Sequence, residues 1–234
     1  MIYSDKIEFA YFIPVLFFRT ADHYFGKDSI NSGDNAHVFF NAVYKNYDLR
    51  TKFYATLFID ELSITKFLEG DNLSAVGLTA GINLVEPVFE NSSLSIEYTR
   101  INPFVYMNSN DAQLFTSHNY QLGHWIGSNA DQIYAEYNHS FLRGLRLKIW
   151  GEYVRKGQKE LPEEQYKFPY PKLLYGNKLK LTGIGLNVRY EIFHNLFCEA
   201  DFTYSNLSDE DEFRNPDYLL GKKYSYGLSF GYGF

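Results

Sequence analysis

Large apolar side chains alternate with small or polar ones in many segments of this chain. The clearest case lies at residues 224–234, where only serine and glycine separate the large residues Tyr224, Tyr226, Leu228, Phe230, Tyr232 and Phe234. Successive side chains of a strand point to opposite faces of its sheet. The segment is therefore predicted to be a strand with one apolar face and one small, uncharged face.

Ten segments are predicted to be strands because of such alternation or because of their β-branched and aromatic content. They are 7–18, 36–47, 50–60, 74–86, 93–106, 130–140, 144–157, 179–193, 195–205 and 223–234. No segment has a convincing helical period, and no composition shift marks a boundary within residues 1–234. The prediction is one all-β domain of about ten antiparallel strands.

Several interior strands also alternate. In 183–192 the apolar residues are Ile184, Leu186, Val188, Tyr190 and Ile192, and the opposite positions include Arg189 and Glu191. Trp150 and Phe197 interrupt the same pattern in 145–153 and 196–204. A strand with one apolar and one charged face is expected wherever a sheet separates an apolar medium from water.

The connections between predicted strands alternate strictly in length. Long ones at 19–35, 61–73, 107–129, 158–178 and 206–222 are separated by short ones at 46–49, 86–91, 141–144 and 194–195. Transmembrane barrels have short periplasmic turns and long extracellular loops. A soluble sandwich or lipocalin-like barrel, the alternative, has no reason to sort its loops in this way. The prediction is a transmembrane antiparallel up-and-down β-barrel, with Ile184, Leu186, Val188 and Tyr190 against lipid.

The C-terminal strand resembles the terminal signature of bacterial outer-membrane proteins, which end in Phe after alternating hydrophobic residues. The resemblance implies that the barrel-insertion machinery recognises the strand ending at Phe234, and that the protein lies in the outer membrane. Residues 1–6 contain no basic region followed by an apolar run, so they are not a signal peptide. The expectation is that the chain is N-terminally truncated and is the C-terminal portion of a larger barrel.

Composition narrows the classes of function. Aromatic residues make up 19% of the chain, which suits strands and membrane interfaces. No run of about 18 apolar residues exists, so no transmembrane helix is predicted. The net charge of −6 argues against nucleic acid as a partner. The single Cys198 excludes an intrachain disulfide.

Charged residues at inward positions of the predicted barrel are expected to line its lumen. They are Glu97, Glu136, Arg146, Lys148, Glu152, Arg189, Glu191, Glu199 and Asp201. One interpretation is a charged ladder that sets the selectivity of a solute path. The favoured one is a self-neutralising layer that fills a small lumen, because both signs alternate and no ring of one sign emerges.

Catalysis and metal binding have little support in the sequence. The six His residues have no i, i+2 or i, i+4 spacing that would indicate a metal site, and no Gly-x-Ser-x-Gly elbow or phosphate loop is present. No catalytic residue, metal or cofactor is predicted. An outer-membrane enzyme, as in the phospholipase and omptin families, is the weaker alternative.

The most distinctive connection covers residues 119–131. Its aromatic and polar side chains suit a saccharide, which offers an apolar face for stacking and hydroxyls for hydrogen bonds. The candidate contacts are Tyr120, His124, Trp125, Asn129 and Asp131. The alternative is a loop folded inward, with Trp125 as its packing anchor and Asp131 capping the next strand.

Two motifs resemble the Wzi-like capsule-assembly outer-membrane proteins of Bacteroidota. They are Leu122-Gly123-His124-Trp125-Ile126-Gly127-Ser128-Asn129-Ala130-Asp131 and Glu97-Tyr98-Thr99-Arg100-Ile101-Asn102-Pro103. The resemblance extends over most of residues 7–234. It implies a large, non-enzymatic barrel that holds or assembles surface polysaccharide. A general porin for small solutes is the main alternative, and a continuous open lumen would distinguish it.

Overall fold

The computed structural model describes residues 37–62, 74–107, 115–118, 120–165, 167 and 169–233. The predicted strand 7–18, Asn119 and the terminal Phe234 lie outside this part of the chain. The strands are β1 Val38–Asn46, β2 Thr51–Leu62, β3 Ser74–Val85, β4 Ser92–Ile101, β5 Thr116–Ser117, β6 Tyr120–Gln121, β7 Ala130–Leu142, β8 Leu145–Lys156, β9 Leu179–Phe193, β10 Leu196–Asp209 and β11 Gly221–Tyr232. Two single 3-10 turns cover Pro162–Glu164 and Asp217–Leu219.

Nine of these strands form one antiparallel sheet in the order β1-β2-β3-β4-β7-β8-β9-β10-β11, while β5 and β6 form a separate short hairpin. The prediction of an all-β, antiparallel fold is confirmed, and no α-helix occurs in the described ranges. No helix there is long and apolar enough to cross a membrane. Within the same ranges β1 and β11 are the two edges of the sheet.

The predicted strand bounds are wrong at two places. The strand predicted at 93–106 ends at Ile101, because the chain turns and both Phe104 and Tyr106 have positive φ, which a strand cannot contain. The strand predicted at 195–205 continues to Asp209, paired with β9 throughout. All four tight turns lie at one end of the sheet, and the long connections leave from the other end.

The pairing register separates the sheet into an apolar face and a polar face. One cross-strand row on the apolar face consists of Leu94, Tyr137, Ile149, Leu186, Phe202 and Tyr226. The adjacent row on the polar face consists of Ser95, Glu136, Trp150, Gly185, Thr203 and Ser225. The alternation predicted for 183–192 is therefore present, with Leu186 and Asn187 on opposite faces.

Trp150 and Phe197 interrupt the alternation because each lies over a glycine of the neighbouring strand. A Cβ at Gly185 would overlap the indole of Trp150, and one at Gly231 would overlap the ring of Phe197. These rings lie flat on the polar face, where glycine leaves room for them. Period-two patterning within one strand cannot reveal such cross-strand pairs.

The buried core lies on the polar face, at the end where the long connections leave. Its members are Phe58, Ala75, Ile101, Val105, Ile126, Ala130 and Val154. Val105 and Ile126 belong to connections rather than strands, so these connections fold back over the sheet. We call residues 102–107, 120–129 and 157–165 the loop layer.

Candidate functional site

The loop layer presents two exposed aromatic side chains. Trp125 is 60% exposed and Tyr120 is 78% exposed. The His124 ring stacks beside Trp125, with 6.3 Å between ring centroids and 28° between planes. Exposed aromatic faces next to an imidazole can stack on and hydrogen-bond a polar ring.

His124 is held from below by Tyr106. The backbone N–H of His124 donates to Tyr106 Oη over 3.2 Å. The Tyr106 ring lies so close to Gly123 that a Cβ there would overlap it. Burial lowers the pKa of His124, and the Glu97 carboxylate only partly opposes this effect. The neutral imidazole is therefore favoured, and its Nδ1 lies 3.4 Å from the Ile126 N–H that it accepts.

Asn129 lies inside the layer rather than on its surface. Its Nδ2 donates to the carbonyls of Gln158 (3.0 Å) and Tyr175 (3.3 Å), and its Oδ1 accepts the Leu174 N–H (2.7 Å). The residue is fully buried and has a φ of 53°, a conformation that Asn tolerates better than most residues. Asn129 therefore holds two connections together. The prediction that it contacts an external saccharide is wrong, because the residue is fully buried.

Asp131 also does not join the predicted saccharide contacts, because it lies on the apolar face. Arg155 donates to it through Nε (2.9 Å) and a terminal nitrogen (2.5 Å). Tyr98 Oη lies 3.5 Å from the same carboxylate. The side chain is only 4% exposed. The five candidate residues thus separate: the structure brings His124 and Trp125 together, and Tyr120 is an exposed residue of the same connection.

Two buried carboxylates that were not predicted from the sequence stabilise the layer: Glu160 joins its connections to one another, and Asp60 of β2 ties it to the sheet. Glu160 accepts the Phe104 N–H (3.2 Å) and the Ser128 hydroxyl (3.1 Å). Asp60 accepts the Tyr106 N–H over 2.6 Å and lies 2.7 Å from His37 Nε2. Burial raises the pKa of Glu160. Their sequence neighbourhoods contain no motif, since their partners are backbone and side-chain groups of distant segments.

The nine predicted lumen residues all lie on the polar face of the sheet. Lys148 contacts Glu136 at 2.8 Å, and Arg189 lies 3.8 Å from Glu199. Asn187 donates to Glu199 (2.7 Å) and to Asp201 (2.6 Å). Two ion pairs of opposite sign therefore lie on this face, and a self-neutralising lumen stays a prediction.

Two acids of this face have neutral hydrogen-bond donors instead of cations. Tyr54 Oη donates to Glu97 over 2.6 Å, and Gln132 Nε2 donates to Glu152 over 2.9 Å. In the described part of the chain, no three His, Cys, Asp or Glu side chains are grouped as they would be around a metal ion. Comparisons with protein-family models, curated proteins and solved structures found no match to this chain.

Proposed function

We propose that this protein is a non-enzymatic β-barrel of the bacterial outer membrane, related to the Wzi-like proteins, that contacts surface polysaccharide at its long-loop end. One observation carries the proposal: the sheet has an exposed apolar face and a charged face, with a sharp boundary between charged and apolar residues. Lipid would cover the apolar face, and the polar face would line the lumen.

The charged residues of the apolar face support this proposal through their position. Among the described side chains they are Arg100, Asp131, Arg155, Lys180 and Lys222, each one residue from the long-connection end of its strand. Below Lys180, the residues of β9 that lie on this face are uncharged from Thr182 to Ile192. These two positions are ten residues apart along the strand. At about 3.3 Å per residue and a tilt of about 40°, this stretch spans about 25 Å, the height of the apolar band of outer-membrane barrels.

Exposure of this band to water would be costly. Its exposed residues include Ile96, Ile133, Ile149, Ile184, Leu186, Tyr226 and Leu228. Continuous apolar surface of this extent marks contact with lipid or with another protein. Within the described residues β1 and β11 are the edges of the sheet, and in lipid both edges need strand partners, because hydrocarbon cannot satisfy backbone N–H and C=O groups. Closure into a barrel meets both requirements.

Binding is favoured over an open channel by the loop layer. Val105 and Ile126 pack against Phe58, Ile101 and Val154 of the polar face, with almost no exposure. A wide pore needs a water-filled lumen. A lumen covered at one end by a hydrophobic core fits a binding or assembly protein instead, and Tyr120, His124 and Trp125 give this cover an exposed aromatic surface.

The test is the Trp125→Ala variant expressed in the bacterium from which the protein comes, with Phe213→Ala as the matched control. Phe213 is a 95% exposed aromatic residue of another long connection. Loss of a stacking residue commonly reduces affinity by about ten- to a hundred-fold. Trp125→Ala should release cell-bound polysaccharide while outer-membrane abundance stays normal, and Phe213→Ala should change neither. Equal retention by both variants would contradict the proposed contact.

A further inference from the structure

We propose that Trp150, on the polar face below the loop layer, is the stacking platform of a second carbohydrate subsite that takes neutral or amino sugars and rejects uronates. The inference rests on the proposed function and deepens it. It is distinct from the Trp125 surface, because Trp150 belongs to β8 and faces the lumen side of the sheet.

The indole of Trp150 lies flat on the sheet. A Cβ at Gly185 would overlap its five-membered ring and the fused edge, and one at Gly183 would lie 3.2 Å from Cζ3 at the far side. Tyr134 extends the aromatic surface on the next strand, with 6.4 Å between centroids and 26° between planes. A ring that rests on backbone over its whole length turns its other face away from the sheet, into the proposed lumen.

Phe197 provides an internal comparison, because it also lies on a glycine of this face. The Arg189 guanidinium covers its ring at 3.9 Å from the centroid, so that aromatic face is occupied. No cation lies over the Trp150 ring, and no acceptor receives its indole N–H, in the ranges that the structure describes. The stacking face and the polar edge of Trp150 are therefore both available to a ligand.

Hydrogen-bond acceptors flank this platform. Glu97, Tyr134, Glu152 and Gly183 form one cross-strand row, next to the row that contains Trp150. Glu97 and Glu152 are two strand spacings apart, or about 10 Å. In the described part of the chain, each carboxylate accepts a hydrogen bond from a neutral donor through Oε2. Oε1 is left to accept from the hydroxyls of a ligand. Carboxylates beside an aromatic face are the combination that sugar hydroxyls and a stacked ring require.

Charge determines which sugars fit. The nearby Lys148 is paired with Glu136 at 2.8 Å, while the hydrogen bonds of Glu97 and Glu152 come from Tyr54 and Gln132. Neither acid is paired with a cation in the described part of the chain. A uronate would meet like charge in a site of reduced dielectric, whereas a neutral sugar would not and an amino sugar would be attracted.

The two tryptophans of the chain allow a direct test. Trp125→Phe leaves Trp150 as the only indole, and Trp150→Phe leaves Trp125. Each detergent-solubilised full-length protein is titrated with maltotriose, chitotriose, the glucosamine trimer and the galacturonate trimer, and tryptophan emission is recorded. The Trp150-only protein should respond saturably to the first three trimers and at least ten-fold more weakly to galacturonate.

A glycine substitution and its control test the platform itself. Gly185→Ala should lift the indole and weaken the response about ten- to a hundred-fold. Gly227→Ala should leave it unchanged, because its Cβ would meet only Asp201 at 3.5 Å, an ordinary contact. Glu97→Gln with Glu152→Gln should remove the discrimination against galacturonate without affecting assembly.

The outcomes separate this subsite from the proposed function. A response of the Trp125-only protein alone would overturn the Trp150 subsite and leave the proposed function standing. A response of the Trp150-only protein alone would support the subsite and contradict the role of the loop surface. Absence of response in both proteins would overturn both proposals. Equal binding of all four trimers to the Trp150-only protein would overturn the Trp150 inference.

Discussion

Asp131 and Arg155 form a two-point ion pair at the long-connection end of the apolar face, with nitrogen–oxygen distances of 2.9 and 2.5 Å. They belong to one cross-strand row with Arg100 and Lys180, at the long-connection end. Tyr98 and Tyr153 lie on the same face one step below. Ile133 lies between these two tyrosines in the cross-strand row. Charges next to tyrosines are expected where a lipid-facing surface meets the headgroups.

The first prediction concerns the middle of the apolar face. Leu186→Arg should cost about 2–4 kcal/mol if the side chain contacts hydrocarbon near the bilayer midplane. The variant should therefore assemble poorly and lose its heat resistance in gel electrophoresis. Asn187→Arg is the matched control, because Asn187 lies on the polar face beside Glu199 and Asp201. Normal assembly of Leu186→Arg would refute contact with lipid at this position.

The second prediction concerns Asn129, which joins the loop layer to residues 174–175. Asn129→Ala removes three hydrogen bonds and also strains the backbone, so it should loosen the layer by about 2–4 kcal/mol. Limited proteolysis within 157–178 measures this opening. Asn129→Gly separates the two causes, because glycine accepts a positive φ but lacks the amide. Equal protease resistance of Asn129→Gly and the parent would show that the hydrogen bonds contribute nothing. Asn177→Ala, at an exposed position, serves as the control.

The third prediction is a pH dependence that originates from Glu160. Burial raises its pKa above the ordinary 4.5, against the opposing effect of its hydrogen bonds and of Lys156. The packed layer therefore holds the proton more tightly than the opened layer, and packing weakens as pH rises from 4.5 through the raised pKa. Hydrogen exchange at 102–107 should accelerate over this interval. Glu160→Gln should abolish that change, whereas the exposed Glu163→Gln should retain it; a parent profile without pH dependence beyond the intrinsic exchange rate would contradict the account.

The fourth prediction concerns insertion rather than stability. If the machinery recognises the last strand, deletion of Phe234 should lower outer-membrane yield at low expression. The barrels that do form should keep the heat resistance of the parent, because the deletion leaves the β10–β11 pairs from Leu196–Tyr232 to Leu207–Gly221 in place. Fractionation followed by a heat-modifiability gel separates the two effects. Normal yield would mean that the terminal aromatic carries no recognition signal.

The nine strands of the large sheet, their antiparallel pairing and their facial alternation could be predicted because they depend mainly on local sequence, whereas the β5–β6 hairpin was not predicted. Period-two patterning determines which residues share a face, and Leu186 and Arg189 lie on the faces expected of them. Short turns force neighbouring strands to pair, so the sheet order follows the chain. Barrel closure and the membrane stay predictions, since β1 and β11 are edges within the described residues.

The candidate site was less predictable because its contacts are long-range. Asn129 and Asp131 stand two residues apart, yet one is buried in the loop layer and the other is paired on the opposite side of the sheet. Polar residues in a loop suggest solvent exposure only while their partners are unknown. The position of the Trp150 ring over Gly185 likewise depends on the register between β8 and β9, which no single segment encodes.

The most direct test of the membrane account is a spin-label scan along β9 in lipid vesicles. Labels at positions 186, 188 and 190 should be accessible to lipid-soluble oxygen, and labels at 187, 189 and 191 to a water-soluble nickel chelate. The two accessibilities should alternate with period two and in opposite phase, because neighbouring side chains face different media. Equal access of the chelate to both sets of positions would contradict a lipid-facing sheet, and with it the outer-membrane barrel.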